Sequence, residues 1–224
     1  MKIAIDGTAG SGKGTLSKRL GKKLNIPYLD TGILYRKVAF EYLKKFDNKL
    51  SFNSKLNKKE ILNLVEEINF EVLKVSELRK DYVGIFASQI AKISQLRKKL
   101  KIIQVDFAKK MVELKGGCIL DGRDIGTSII PDAEIKFFIV ASIKTRVERR
   151  LKEFKFDKLP KKEQEKLYKD IFQKIKIRDE NDYNRDVSPL KMAIDAIKID
   201  TSQMTPKEVE MIAIKHINEK KSKK

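Results

Sequence analysis

The first residues able to do chemistry lie close to the N-terminus. They are Gly7-Thr8-Ala9-Gly10-Ser11-Gly12-Lys13-Gly14-Thr15, directly after the apolar run Lys2-Ile3-Ala4-Ile5. Glycines let a backbone curl until several N–H groups point inward. Lys13 adds a full positive charge, and a helix N-terminus would add a partial one. Such a loop cradles the β- and γ-phosphates of a nucleotide. The usual pattern places Ser or Thr directly after the lysine, where its hydroxyl reaches Mg²⁺. Here Gly14 holds that position and Thr15 follows.

Other reaction types lack their residues. Cys118 is the only cysteine and His216 the only histidine, so neither a disulfide framework nor a Cys- or His-built metal site can form. No apolar run approaches the ~18 residues of a membrane span. No secretory leader pattern follows Met1, and a cytoplasmic location is expected. The formal net charge is +19. Lysine supplies most of it, spread along the chain, which reads as compositional bias rather than a nucleic-acid surface. Arginine is scarce, ten residues in all. In a lysine-rich chain, arginine marks places that need a planar, bidentate cation.

These residues need elements to hold them. Lys2–Ile5 reads as a buried strand, and Leu16, Leu20 and Leu24 mark a helix beginning near Gly14. Ile26–Leu29 is a short strand ending at Asp30-Thr31-Gly32. A helix then presents Leu34, Val38 and Tyr42. Asn57 with Glu60 predicts a capped helix through Ile68. Asn69–Val75 alternates like a strand. Ile85–Leu114 reads as helical, with Ser94 as a cap or bend, stopped by Gly116-Gly117. Cys118–Leu120 and Ile135–Val140 are apolar strands, and a basic helix follows the second. Phe154–Gln164 reads as an exposed, mobile loop before a polar helix that ends near Asn184. Ala196–Ile199 is the last strand. Thr205-Pro206-Lys207-Glu208 opens the last helix, with His216 at the edge of its apolar stripe. Strands alternating with helices predict an α/β fold: a five-stranded parallel sheet with helices on both faces, in three layers.

Several blocks line up, in order, with one family. They are the glycine loop, Leu29-Asp30-Thr31-Gly32 with Tyr35-Arg36, Ala87-Ser88-Gln89 with Arg97, Asp121-Gly122-Arg123-Asp124-Ile125-Gly126-Thr127 before Pro131-Asp132-Ala133, and Arg178-Asp179 through Asp182 and Arg185 to Ser188-Pro189-Leu190. Together they resemble bacterial cytidylate kinases, P-loop enzymes similar in fold to adenylate kinase. The resemblance implies transfer of the ATP γ-phosphoryl group to CMP or dCMP. UMP or AMP is the alternative acceptor, and a basic nucleotide-dependent RNA-binding protein is the alternative outside enzymes. It also implies one domain, with its core at about 1–43 and 115–224, an acceptor-binding insert at about 44–114 and a lid at about 154–165.

The resemblance carries roles as well. Gly7 through Thr15, with Arg146 and Arg149, would hold ATP, and Arg150 is a weaker third. Thr31, Tyr35, Arg36, Ser88, Arg97, Arg123, Asp124, Arg178, Asp182 and Arg185 would hold the acceptor. Within that set Ser88, Arg97 and Asp124 would read cytosine, while Arg36, Arg123 and Arg185 would hold the α-phosphate. Lys13, Arg123, Arg178 and Arg185 would act in transfer. Asp121 would order water on Mg²⁺. The family implies a monomer with small-molecule substrates and no nucleic-acid or membrane partner. Bland alternatives exist: Asp182 suits an ion pair with Arg178 or Arg185, and Asp124 suits a structural pair with Arg123. The chain departs from the family in a shorter insert, in Thr31 where serine is more frequent, and in Asp81-Tyr82-Val83-Gly84 where an arginine-containing segment is usual.

Overall fold

The computed structural model describes residues 1–46, 57–70, 75–154 and 156–222. Strand β1 (Lys2–Gly7) runs into the glycine loop and then helix α1 (Lys13–Leu24). Strand β2 (Tyr28–Asp30) leads to α2 (Gly32–Lys45). Among the described residues four helices follow before the next strand: α3 (Lys58–Glu67), α4 (Val75–Leu78), α5 (Asp81–Ile90) and α6 (Ser94–Lys115). Then come β3 (Cys118–Gly122), a π-helical turn (Ile125–Ile129), β4 (Ile135–Val140) and α7 (Ile143–Leu151). A 3₁₀ turn (Phe156–Lys158), α8 (Lys161–Tyr183), β5 (Ile197–Asp200) and α9 (Pro206–Lys221) complete the chain.

The five strands form one sheet in the order β2-β3-β1-β4-β5, and every pairing is parallel. This is the expected α/β architecture. Strand β1 is central, and its side chains alternate between two dry faces. Ile3 and Ile5 pack with Leu16 and Leu20 of α1 and with Val209, Ala213 and Ile217 of α9. Ala4 faces the other way, toward Ala108 of α6 and Ile125 and Ile129 of the π-helical turn. The chain leaves β1 for β2 on one side of the sheet and later returns to β4 on the other. The crevice at the carboxyl end of β1 is therefore a topological switch point, where such folds bind ligands.

A separate apolar cluster joins α2, α3, α5 and α6 through Val38, Tyr42, Ile61, Phe86 and Leu96. Another joins α7 to α8 through Val147, Leu151, Ile171 and Ile175. Helix ends follow their sequence signals. The Asn57 side chain accepts from the Glu60 N–H at 3.2 Å. Thr205 and Glu208 form a capping box, and Gly116 closes α6 in the left-handed region at φ 70°.

Two expectations are corrected, and a third falls mainly outside the described residues. The helix expected over Ile85–Leu114 is two helices. The first starts earlier, at Asp81, and the break falls at Ala91–Ile93, with Ile93 rather than Ser94 in the capping position. The loop expected over Phe154–Gln164 is shorter, because α8 already starts at Lys161 behind Pro160. The strand expected over Asn69–Val75 falls mainly on residues 71–74, outside the described residues; Asn69 and Phe70 are coil and turn, and Val75 opens α4.

Candidate active site

The loop after β1 turns on Gly12, which caps α1 at φ 95°, a conformation that favours glycine. Ser11 donates its hydroxyl to the Thr8 carbonyl at 2.9 Å and tightens the curl. Ala9, Gly10 and Gly12 through Thr15 line a cavity of about 680 Å³, while Gly7, Thr8 and Ser11 lie behind that wall. Lys13 faces into the same cavity. Burial, together with the nearby charges of Arg123 and Arg178, pulls its ammonium down to about 8, against the opposing pull of Asp121 and Asp30.

The candidate acceptor residues arrive from five elements. Thr31, Tyr35 and Arg36 come from the start of α2, and Ser88 from α5. Arg97 comes from α6, Arg123 and Asp124 from the end of β3, and Arg178, Asp182 and Arg185 from α8 and its C-terminal turn. All ten line that one cavity, together with Asp121, Arg146 and Arg149.

Within it the charges alternate. Arg97 donates to Asp124 Oδ2 at 2.6 Å, both side chains being 7 % exposed. Arg185 reaches Asp124 Oδ1 at 3.5 Å and lies 4.0 Å from Asp182. Asp182 accepts from Arg123 Nε at 2.5 Å. Asp182 is thus paired with Arg123 and Arg185, and Asp124 with Arg97 and Arg185. Neither shows the Asp182–Arg178 or Asp124–Arg123 contact weighed from sequence. Burial works against the charge on Asp182, but Arg123, Arg178 and Arg185 together hold its carboxyl below the usual range.

Arg178, like Arg97 at its own Nε, is under-satisfied. Its Nε is buried without a hydrogen-bond partner, and burial plus the Arg123 charge lowers its guanidinium. Arg36 behaves similarly. It donates to the Leu78 carbonyl at 2.7 Å, and burial with Arg178 nearby brings it down to about 9. Gly84 makes room for it: a Cβ there would stand 2.5 Å from the Arg36 Nη2. A cavity that strips cations of water and leaves them short of partners is built for an anion.

The remaining candidates are held more tightly. Thr31 gives its hydroxyl proton to the Asp121 carbonyl at 2.9 Å. Ser88 gives its proton to the Ile85 carbonyl at 2.7 Å, so its oxygen faces other groups as an acceptor. The Arg97 guanidinium lies 5.5 Å over the Tyr35 ring. Arg146 makes a bidentate pair with Asp179, at 3.0 and 2.6 Å, and donates to the Ala9 carbonyl at 3.1 Å. Arg149 donates to Thr201 and to the Ser11 carbonyl at 3.3 Å. These two arginines brace the glycine loop through its carbonyls. Arg150 turns instead to Asp81 on α5, at 2.5 Å.

Several residues here escaped the sequence reading. Arg79 pairs with Asp30 at 3.2 Å beside the loop mouth. Asp179 anchors Arg146, although only its neighbour Arg178 was assigned a role. Asp6, buried at the end of β1, accepts from two backbone N–H groups of the π-helical turn. The readable signal for Asp6 was a carboxylate closing an otherwise apolar strand.

Comparison with known proteins identifies the family. A family profile described as cytidylate kinase matches residues 3–219. The chain is similar to the cytidylate kinase of Caldicellulosiruptor saccharolyticus, at 38 % identity over 93 % of this chain and 92 % of that one. It is likewise similar to the cytidylate kinase of Thermosipho melanesiensis, at 40 % identity over 98 % and 97 %. Among solved structures, TT1252 from Thermus thermophilus shares the fold, with a TM-score of 0.50 at 14 % identity, covering 97 % of this chain and 95 % of that one. The chain belongs to the cytidylate kinase family.

Proposed function

We propose that this protein transfers the γ-phosphoryl group of ATP to CMP or dCMP, giving CDP or dCDP. The observation that carries the reading is one continuous cavity. It has a lysine-bearing glycine loop at one end, a buried Arg97–Asp124 pair at the other and, between them, Arg178 with an unpartnered Nε. Phosphoryl transfer asks a protein to position two anions in line and to neutralise charge on the group in flight. Lys13 and the loop N–H groups would hold the ATP phosphates. Arg36, Arg123 and Arg185 would hold the acceptor phosphate, with Arg178 between the two nucleotides. Asp182 and Thr31 would face the acceptor sugar and phosphate. Arg146 and Arg149 would keep the loop in its binding shape beneath ATP.

Base choice follows from donor and acceptor polarity. Cytosine offers an amino donor at position 4 and an unprotonated N3. The Asp124 side chain would accept from the amino group, the Ser88 oxygen would offer a second acceptor, and Arg97 would donate to the O2/N3 edge. Uracil reverses two of these partners, leaving buried polar groups unpaired.

Asp121 fits a role toward Mg²⁺. Its Oδ2 is buried without a hydrogen-bond partner, directly behind Gly14, and a hard carboxylate oxygen suits that ion or its water. When bound there, the ion would supply positive charge to offset that of the phosphates during transfer. Burial and the charge of Asp30 raise the Asp121 carboxyl, against the opposing pull of Lys13, Ser17 and Arg123.

The helices from α3 to α6 would form the acceptor-binding insert, and the segment around the 3₁₀ turn the lid. We place the protein in the cytoplasm as a monomer acting on small molecules; among the described residues no helix is long and apolar enough to cross a membrane. The test is an acceptor screen with ATP and Mg²⁺. CMP and dCMP should be phosphorylated far faster than UMP or AMP. Equal turnover of UMP would remove the cytidylate reading, and no turnover of any acceptor would remove the kinase reading.

A further inference from the structure

Strand β1 ends with a charged residue where its pattern calls for an apolar one. Asp6 is 4 % exposed, on a central strand paired to β3 on one side and β4 on the other. A buried carboxylate is expensive unless its oxygens are satisfied. Both are. Oδ1 accepts from the Ile125 N–H and Oδ2 from the Gly126 N–H, each at 2.8 Å. These are the first two N–H groups of the π-helical turn, donors that a helix start leaves without internal partners. The residue immediately before them is Asp124, at φ −140° and ψ 27°. Its own carbonyl accepts from the Ser128 N–H at 2.8 Å. The Asp124 backbone is thus clamped from both sides, and its side chain emerges between Arg97 and Arg185.

We propose that Asp6 is a positioning residue for the acceptor base: it fixes the turn on which Asp124 stands and thereby sets the preference for cytosine. This rests on the reading of Asp124 as a base reader. Two oxygens on two successive N–H groups leave the turn one orientation, which a single-acceptor cap would not do. Burial raises the Asp6 carboxyl to about 6, against the pull of the two N–H groups, with Asp124 raising it further and Arg123 opposing. That cost is what a carboxylate bears to hold both donors. The glycine loop does not depend on this clamp, because Gly7 is registered against Ile139 of β4.

The test is Asp6→Asn, which keeps the shape but offers one acceptor and sets an NH₂ against the second N–H. Steady-state kinetics with CMP, UMP and ATP are measured at a temperature where circular dichroism shows native helix. The KM for CMP should rise roughly tenfold, and the CMP-to-UMP ratio of kcat/KM should fall by a similar factor, as for one lost buried hydrogen bond. The KM for ATP should stay within about twofold. The double variant with Asp124→Asn should be little worse for CMP than Asp124→Asn alone, since Asp6 acts through Asp124. Asp6→Glu pushes the same turn outward by one methylene, and it supplies the same readout if the asparagine variant does not fold. An unchanged KM for CMP and ratio, an equal rise in both KM values, or additive effects with Asp124→Asn would each overturn the proposal. A wild-type enzyme without preference for CMP over UMP overturns the base-reading assignment and this inference with it.

Discussion

Asp182 offers a direct test of how the cation cluster is held before an anion arrives. Its side chain is 8 % exposed, against 3 % for Arg185 and 16 % for Arg123. It accepts from Arg123 at 2.5 Å, and its carboxyl is held down by three guanidinium groups. Asp182→Ala would leave those charges close together without their shared counter-ion. Removing one partner of a buried pair costs about 3–5 kcal/mol. Arg123 opens toward the cavity, where water screens it, so the lower end, about 3 kcal/mol, is expected. For a chain of this size that is a fall in Tm of roughly 6–12 °C. Inorganic phosphate should restore part of the loss by taking the place of the carboxylate among the guanidinium groups. The assay is thermal unfolding with and without millimolar phosphate. The variant should gain more from phosphate than the wild type does, since binding at the glycine loop is common to both. A variant that melts with the wild type, or equal gains from phosphate, would refute the reasoning.

Further outcomes are expected at the same site. Lys13→Ala should lower kcat by about 10²–10³ while leaving Tm unchanged or slightly raised, because the cation it removes is desolvated and serves a ligand; stopped-assay kinetics and melting measure both. The depressed Lys13 ammonium, at about 8, means the folded ligand-free protein binds fewer protons than the unfolded chain between that pH and the ordinary lysine value. The burden is therefore full below pH 8 and is relieved as pH rises, so ATP binding near pH 8 should take up a proton, read by calorimetry in buffers of different ionisation enthalpy and lost in Lys13→Met. Asp124→Asn should narrow the gap between CMP and UMP, chiefly by weakening CMP; an unchanged ratio in acceptor kinetics would refute the base-reading role. Arg185→Lys keeps the charge but cannot span the Ser188 carbonyl and Asp124 together, so kcat/KM for CMP should fall more than tenfold with ATP affinity steady; equal losses for both nucleotides would place Arg185 on the wrong substrate.

Local chemistry was readable from the sequence, and chemistry assembled across the chain was not. Glycines, an apolar strand and a leucine repeat specify β1, its loop and α1 within a short window. The capping box at Thr205 does the same for α9. The break at Ala91–Ile93 is hidden because Ile90, Ile93 and Leu96 continue an unbroken apolar rhythm across it, all three buried. The early start of α8 is hidden for the opposite reason. Its buried positions, Ile171, Ile175 and Asp182, leave the first turns with no apolar stripe, and only Pro160 marks the beginning. The arginines of the site could be singled out by their rarity. Two carboxylates that brace the site could not, since Asp179 and Asp6 act on residues 33 and 119 positions away or more. Nothing in local spacing separates such a carboxylate from a solvated one.

Helix α8 carries a consequence for binding order. Asp179 on this helix grips Arg146 and, through it, the Ala9 carbonyl of the glycine loop. Arg178 and Asp182, one residue before and three after, line the cavity in which the acceptor is proposed to bind. On the proposed assignment, one helix would touch both nucleotide sites. A displacement of α8 that tightened one site would then reach the other without a separate relay. Linkage then demands symmetry: whatever factor ATP applies to the affinity for CMP, CMP must apply to the affinity for ATP.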